Sequence, residues 1–182
     1  MKGQYYLISV FFLILFFYIG LRAYISPSTT LISSDELTNF FDNVKSEYTR
    51  SFNLGMKDEK AISSLSNFTL FVKNVANKRN MKLKTFWMVT ENVSNMLNIT
   101  VGNYFEEPIG VTINVSGESV SIDLDNEEIK SVIFSDVPSE FSLRLGFNNK
   151  ESNLLLEKYK ANLYVFLDLE RGEEKLKGEI KA

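Results

Sequence analysis

The stretch TFWMV, residues 85–89, decides how the rest of the chain is interpreted. After Thr85 every residue is apolar, so a strand built from this stretch has no polar face. Strands that are buried on both faces have continuous apolar runs of this kind. The sequence therefore predicts a central strand that is covered on both sides. Trp87, the only tryptophan, lies within it and is expected in the core.

The residues that follow this strand alternate between apolar and polar side chains, which is typical of strands with one buried face. Turn signals such as Ser116-Gly117 and Asn148-Asn149 separate the runs. Short half-buried strands at spacings of about ten residues predict an antiparallel β-sandwich over residues 81–182. The predicted inward residues are Ile99, Val101, Val111, Ile113, Val115, Val120, Ile122, Leu124, Phe141, Leu143, Leu145, Phe147, Leu163, Val165, Leu167 and Leu169.

Two amphipathic segments precede the central strand, and they predict an α-helical hairpin over residues 33–80. Asn53-Leu54-Gly55 is expected to end the first helix, and Asp58-Glu59 to begin the second. Both apolar stripes are expected to pack as core, with a groove for a partner protein as the alternative. The stripes are Leu37, Phe40, Phe41, Val44 and Tyr48 in the first helix, and Ile62, Leu65, Phe68, Val72 and Val75 in the second.

The segment YYLISVFFLILFFYIGL, Tyr5 to Leu21, contains no charged residue. As a helix it would be about 25 Å long, close to the thickness of about 30 Å of a bilayer's hydrocarbon core. The sequence therefore predicts a transmembrane anchor over residues 1–25 and a hinge over residues 26–32, where Pro27 breaks the helix. The lipid bilayer is thus a predicted partner through residues 5–21. A cleaved secretory signal is the alternative, although the residues after Leu21 fit a small-x-small cleavage site poorly.

Lys2 and Arg22 flank this segment on opposite sides, so charge gives only a weak orientation signal. An anchor this near the start of a chain, followed by one folded domain, usually inserts with its C-terminal part outside. We therefore predict a single-pass membrane protein of the α+β class: an N-terminal transmembrane helix, a helical hairpin and an extracytoplasmic β-sandwich.

The residues Lys2-Gly3-Gln4 and the apolar run after them resemble the class III signal of archaeal type IV pilin-like proteins. The resemblance implies that a prepilin-type peptidase cuts between Gly3 and Gln4, and that subunits self-assemble through the membrane helix. Many members carry a glutamate five residues into the mature helix, where this chain has Ile8. A second stretch, Asn98–Tyr104 with Ile109–Val115, resembles the first strands of immunoglobulin-like modules of archaeal surface proteins, which implies that fold and no fixed binding residues.

The composition excludes several classes of site. The chain has no cysteine and no histidine, so it has no disulfide, no thiolate site and no histidine-based triad. Residues 27–182 carry 18 basic and 23 acidic residues, a net charge of −5, which argues against nucleic acid as a partner. No catalytic residue, cofactor or metal site is predicted. The acidic run Asp123–Glu128 lacks the glycine and glutamate spacing of an EF-hand calcium loop and is interpreted as a solvated turn.

Four Asn-x-Ser/Thr sequons are candidate glycosylation sites if the domain lies outside the cell: Asn67, Asn92, Asn98 and Asn114. The strand alternation places Asn98 and Asn114 on outward faces, where a glycan could be accommodated. Asn67 lies beside Phe68 of the second apolar stripe, which makes it less suitable.

The sequence favours a non-catalytic, membrane-anchored surface protein, with a pilin-like subunit as its more specific form. The alternative is a tethered binding module that recognises a surface polymer or partner protein through the sandwich. That alternative predicts an exposed aromatic patch, for instance Tyr164 and Phe166 on the outward phase of their strand. An enzyme would require a cleft where carboxylates or lysines converge, and the sequence shows no such grouping.

Overall fold

A computed structural model describes residues 34–182 of the 182-residue chain. The predicted membrane anchor, the hinge and the processing residues Gly3 and Gln4 lie outside the described residues. Leu37–Ala182 form one compact unit. Among residues 34–182, neither helix combines the length and the apolar character that crossing a bilayer requires.

The described part of the chain contains two α-helices and nine β-strands, and all paired strands are antiparallel. The five-stranded sheet has the order β5-β2-β1-β8-β9, and the four-stranded sheet has the order β4-β3-β6-β7. The predicted β-rich α+β architecture is therefore confirmed for these residues. The elements are α1 Ser34–Lys57, α2 Ala61–Lys78, β1 Lys82–Val93, β2 Met96–Tyr104, β3 Ile109–Val115, β4 Glu118–Leu124, β5 Ile129–Phe134, β6 Glu140–Phe147, β7 Lys150–Glu157, β8 Asn162–Arg171 and β9 Glu174–Lys181.

The five-stranded sheet is the middle layer of three, with the helices on one face and the four-stranded sheet on the other. In β1, Trp87 and Val89 pack with the helices, whereas Phe86 and Met88 pack between the sheets. The central, doubly covered strand predicted from residues 85–89 is confirmed, because Phe86 to Val89 are each at most 1% exposed. The core position predicted for Trp87 is confirmed as well.

Strand β8 corrects one prediction. Tyr164 and Phe166 are buried between the two sheets, at 1% and 2% exposure, and form no outward aromatic patch. The expectation of one polar face failed because β8 lies directly beside β1, where both faces of the sheet are covered. The alternate residues of β8 face the helices and are apolar as well: Leu163, Val165, Leu167 and Leu169.

The layer between the sheets is built around aromatic rings. Phe147 stacks on Phe86 with a centroid distance of 4.3 Å and meets Phe105, Tyr164 and Phe166 edge-on at 5.7 to 6.3 Å. Such offset and edge-to-face contacts add to the stabilisation from burial of the ring area. Phe147 is therefore the centre of this layer.

The apolar stripe predicted for α1 is buried from Leu37 to Tyr48 and continues to Phe52. The predicted end of α1 is wrong, because the helix continues through Gly55 to Lys57. A Cβ atom on Gly55 would lie 2.8 Å from the Cα of Ala61 and 2.9 Å from the Cβ of Ser64. Gly55 thus allows the two helices to approach closely, and it does not terminate α1.

Helix α2 begins at Ala61, later than predicted, since Glu59 has a left-handed φ of 56° that belongs to the link. Its predicted stripe is buried only at Leu65 and Val72, and its other members are partly buried. The buried line includes the small residues Ala61, Thr69 and Ala76. Small side chains there let α2 lie close to the sheet.

Strands β5 and β7 were not predicted from the sequence. Both are edge strands, β5 in the five-stranded sheet and β7 in the four-stranded sheet. Their sequences, IKSVIF and KESNLLLE, contain adjacent apolar residues that obscure the alternation. In β7, Leu154 is buried while the adjacent Leu155 is 80% exposed.

Antiparallel pairing and short links give the unit two poles. We call the pole where α1 begins the near pole; it contains the links 79–81, 105–108 and 125–128 and the turns 148–149 and 172–173. The far pole contains the links 58–60, 135–139 and 158–161 and the turns 94–95 and 116–117. Arg79 lies over the Phe40 ring at 5.3 Å, which places the start of α1 beside the end of α2.

Candidate functional site

The four sequons occupy two different kinds of place. Asn67 is exposed on α2, and Asn98 is half-buried in β2. Asn92 and Asn114 are half-buried at the ends of β1 and β3, each beside a tight hairpin turn at the far pole. Asn114 lies on the solvent face of the four-stranded sheet, as the alternation predicted.

The predicted outward position of Asn98 is wrong. In β2 the phase of Asn98 is shared by Thr100, Gly102 and Tyr104, and this phase faces the helices. Thr100 is only 3% exposed, and its hydroxyl is hydrogen-bonded to that of Ser131 at 2.8 Å. The prediction failed because β2 is covered on both faces.

An open depression of about 810 Å³ lies on the solvent face of the four-stranded sheet. Gly110 and Gly146 form its floor with Thr112, because these positions have short side chains or none. The guanidinium of Arg144 stands beside it and donates a hydrogen bond from Nε to Asn153 Oδ1 at 3.3 Å. The residues that line it are Gly110, Thr112, Asn114, Arg144, Gly146, Phe147, Asn148, Asn149, Lys150 and Glu151. The depression presents hydrogen-bonding groups and lacks an aligned nucleophile and base.

The acidic run Asp123–Glu128 forms the end of β4 and the link to β5. The link is organised by the buried Asn103, whose Nδ2 donates to the carbonyl oxygens of Leu124, Asp125 and Glu107 at 2.8 to 3.1 Å. The backbone N–H of Asp125 and the ammonium of Lys130 hold the pKa of Glu128 below its usual value. Residues 34–182 contain no cluster of three or more acidic side chains suited to a metal ion.

The near pole also contains ion pairs that connect layers. Lys73 of α2, almost fully buried, pairs with Glu127 at 3.4 Å. Lys82 pairs with Glu106 at 2.7 Å, and this hydrogen bond raises the pKa of Lys82. Sequence reasoning missed both Lys73 and Asn103, because a lysine in an apolar helix face and an asparagine in a strand have no pattern of their own.

Buried titratable side chains are dispersed through the layers. Burial raises the pKa of Tyr48 and of Tyr104 in the helix-side layer, and raises that of Tyr164 between the sheets to about 12. Asp168 is buried with Oδ2 paired to Lys175 and Lys177, at 3.2 and 3.4 Å. Within the described residues these groups do not converge on a common cleft of the kind that catalysis needs.

Exposed large apolar side chains are concentrated towards the far pole. Val93 and Met96 are cross-strand neighbours at the β1–β2 turn, and Ile133 is 60% exposed near the end of β5. Tyr159, 69% exposed, lies in the link between β7 and β8. In the described residues the full set is Leu54, Leu70, Phe71, Val93, Met96, Ile133, Leu155 and Tyr159, of which only Leu70 and Phe71 lie midway along an element.

A comparison of the sequence with protein-family models and with curated proteins finds no match.

Proposed function

We propose that this chain is a non-catalytic, membrane-tethered surface protein whose described unit lies outside the cytoplasm. The observation that carries the proposal is the uncharged segment from Tyr5 to Leu21, placed ahead of a folded unit with net negative charge. A segment of that length and composition partitions into lipid. The described unit begins with α1 at the near pole.

The strand order supports the finer proposal of an immunoglobulin-like sandwich. If β1 to β7 are labelled A, B, C, C′, E, F and G in chain order, the sheets have the orders E-B-A and C′-C-F-G. Chain crossings between the sheets at β2–β3, β4–β5 and β5–β6 give the Greek-key connections of such sandwiches. Strands β8 and β9 extend the first sheet beyond A. Many cell-surface domains use this architecture, which agrees with the proposed location.

Protease digestion of intact cells tests the location. We expect the unit to be degraded or released, while a cytoplasmic marker protein and the segment Tyr5–Leu21 remain with the cells. Recovery of the intact chain in the aqueous fraction without detergent would contradict the membrane tether. Protection of the whole chain in intact cells would contradict the outside location.

The pilin-like form of the proposal adds cleavage between Gly3 and Gln4 and assembly through the apolar segments. N-terminal sequencing of protein from the producing cells should find Gln4 first. A Gly3→Val variant should keep its uncleaved start, whereas Lys2→Arg, which retains the positive charge, should still be cut. An uncleaved N-terminus in the unaltered protein would contradict the pilin-like form and would be consistent with a membrane tether that is not processed.

A tethered binding module for a partner protein is the second candidate, favoured by the exposed apolar residues at the far pole. An Ile133→Ser, Tyr159→Ser double variant should abolish retention of a partner in pull-downs from the cell surface. Phe71→Ser, which removes an equally exposed ring from the middle of α2, is the matched control. Equal retention by all three proteins would argue against this candidate.

A further inference from the structure

Two of the sequons form the same structure twice. Asn92-Val93-Ser94-Asn95 closes the β1–β2 hairpin, and Asn114-Val115-Ser116-Gly117 closes the β3–β4 hairpin. In both, the valine pairs across the turn, with Met96 or with Glu118, so that two residues remain in the turn. These turn residues have φ of 52° and 67° in the first hairpin and 51° and 99° in the second. Positive φ at both positions is the signature of a type I′ turn.

The asparagine of each sequon is held in the same way. The backbone N–H of Asn95 donates to Oδ1 of Asn92 at 3.0 Å, and that of Gly117 donates to Oδ1 of Asn114 at 3.2 Å. The carbonyl side of each carboxamide therefore faces its turn, and Nδ2 is on the opposite side. The hydroxyl residues of these sequons, Ser94 and Ser116, are both exposed.

The other two sequons have buried hydroxyls. Thr69 is fully buried, accepts a hydrogen bond from the hydroxyl of Tyr48 at 2.9 Å and donates one to the Leu65 carbonyl at 2.7 Å. Thr100 is buried and bonded to Ser131. In the folded unit, a glycan-transferring enzyme that must contact both the asparagine and the hydroxyl can reach only the first two sequons.

We propose that Asn92 and Asn114 are a matched pair of N-glycosylation sites, modified on the folded unit, and that Asn67 and Asn98 are not modified. This proposal depends on the outside location proposed above. The donor is a glycan whose anomeric carbon is esterified to a lipid-linked phosphate or diphosphate. The amide Nδ2 forms a bond to the anomeric carbon, the bond from that carbon to the phosphate oxygen breaks, the amide proton passes to a base of the transferase, and the lipid phosphate leaves.

The two sites belong to different sheets and share one pole. The turn of the β1–β2 hairpin lies at the far-pole end of the five-stranded sheet, and the turn of the β3–β4 hairpin lies at the same end of the four-stranded sheet. Asn114 itself lines the open depression, so a glycan on it would extend from the edge of that depression, near Arg144. Both glycans would stand at the far pole, the end of the unit opposite to the start of α1.

Glycopeptide mapping of the full chain, purified from the membranes of the producing cells, tests the proposal. We expect glycan mass on the peptides of Asn92 and Asn114 and none on those of Asn67 and Asn98. Ser94→Gly and Ser116→Gly should each remove one glycan mass. Glycine accepts the positive φ of these turn positions, so each variant removes the sequon and keeps the turn.

Asn67→Gln and Asn98→Gln are the matched controls, and each should leave the glycan mass on the protein unchanged. Circular dichroism of all four variants checks that each is folded. If protease on intact cells reaches the unit and Asn92 and Asn114 are unmodified, or a glycan is found on Asn67 or Asn98, this proposal fails and the proposed function stands. If the unit is inaccessible in intact cells, both fail.

Discussion

The two faces of the five-stranded sheet are packed by different means. Between the sheets, aromatic rings around Phe147 fill the layer and contact one another. On the helix side, glycines set how closely the elements approach, and hydrogen bonds such as Tyr104 to Ser66 at 2.8 Å cross the interface. The same strands, β1 and β8, supply both layers through alternate residues.

The difference follows from what each partner layer can present. A second sheet at its regular spacing leaves room for large side chains, so rings from both sheets interdigitate. Helices approach by local fit, and a residue without a side chain allows a bulky neighbour to lie flat. The ring of Trp87 lies against Gly102 in this way, and the ring of Phe41 lies against Gly178. The sheet-side layer should therefore be sensitive to loss of volume, and the helix-side layer to added volume.

The largest expected effect is that of Phe147→Ala, which removes the ring at the centre of the sheet-side layer. Truncation of a buried phenylalanine costs about 3–5 kcal/mol of unfolding free energy. Denaturant unfolding of the detergent-solubilised chain, followed by Trp87 fluorescence, measures it. Phe71→Ala, which removes a ring that is 63% exposed, should change the unfolding free energy by only about 0.5 kcal/mol. Equal losses would contradict the assignment of Phe147 as the centre.

The next effect is that of Gly102→Ala on the helix-side layer. The added Cβ would lie 2.5 Å from the Cε2 and Cζ2 atoms of Trp87, a fully buried ring. Overpacking of this kind costs about 1–3 kcal/mol. Gly146→Ala is the matched control, because its nearest neighbour would be 3.8 Å away. If both variants have the same melting temperature, close approach at Gly102 is not required.

A smaller effect is expected at the hydrogen bond between Tyr104 and Ser66. Tyr104→Phe removes the hydroxyl and should cost about 0.5–1.5 kcal/mol. In a double-mutant cycle with Ser66→Ala, the double variant should lose less than the sum of the two single losses. Strictly additive losses would show that this bond does not couple α2 to β2.

The last variant, Tyr164→Phe, removes a hydroxyl that is hydrogen-bonded to that of Ser152 at 3.1 Å, and its distinguishing effect is expected at high pH. Burial raises the pKa of Tyr164 from 10.0 to about 12, so the folded state binds this proton more tightly than the unfolded state does. The associated stability is complete below pH 10.0 and is lost as pH rises towards about 12. Tyr164→Phe should therefore lose less stability across this range than the unaltered protein. Tyr159→Phe, at an exposed ring, should follow the unaltered protein.

The sequence predicted the elements whose surroundings are uniform along their length. Residues 86–89 are apolar throughout because β1 is covered on both sides at these positions. The turn at Ser116-Gly117 was predicted from the sequence, since a left-handed φ favours glycine. Strand β5 was missed because at an edge Ile133 faces solvent while Phe134 is buried.

The remainder depended on which element lies beside which, and that is not encoded locally. The alternation in β8 was interpreted as one buried face, because nothing near Tyr164 indicates that β8 adjoins β1. The sequons were readable as motifs, yet their separation into two classes required the burial of Thr69 and Thr100. Of the turns beside the other two sequons, the sequence predicted only Ser116-Gly117; the turn at Ser94-Asn95 was not predicted.

The three layers differ in how the chain is joined across them. Backbone ladders hold β1 on both sides, to β2 and to β8, whereas the helices pack on the sheet through side chains and join it in the chain only by the link 79–81. A tensile load transmitted through the start of α1 would therefore peel the helices away first and uncover Trp87. After the helical cover had yielded, the load would reach the sheet at Lys82, where the ladders to β2 and β8 hold β1 in place.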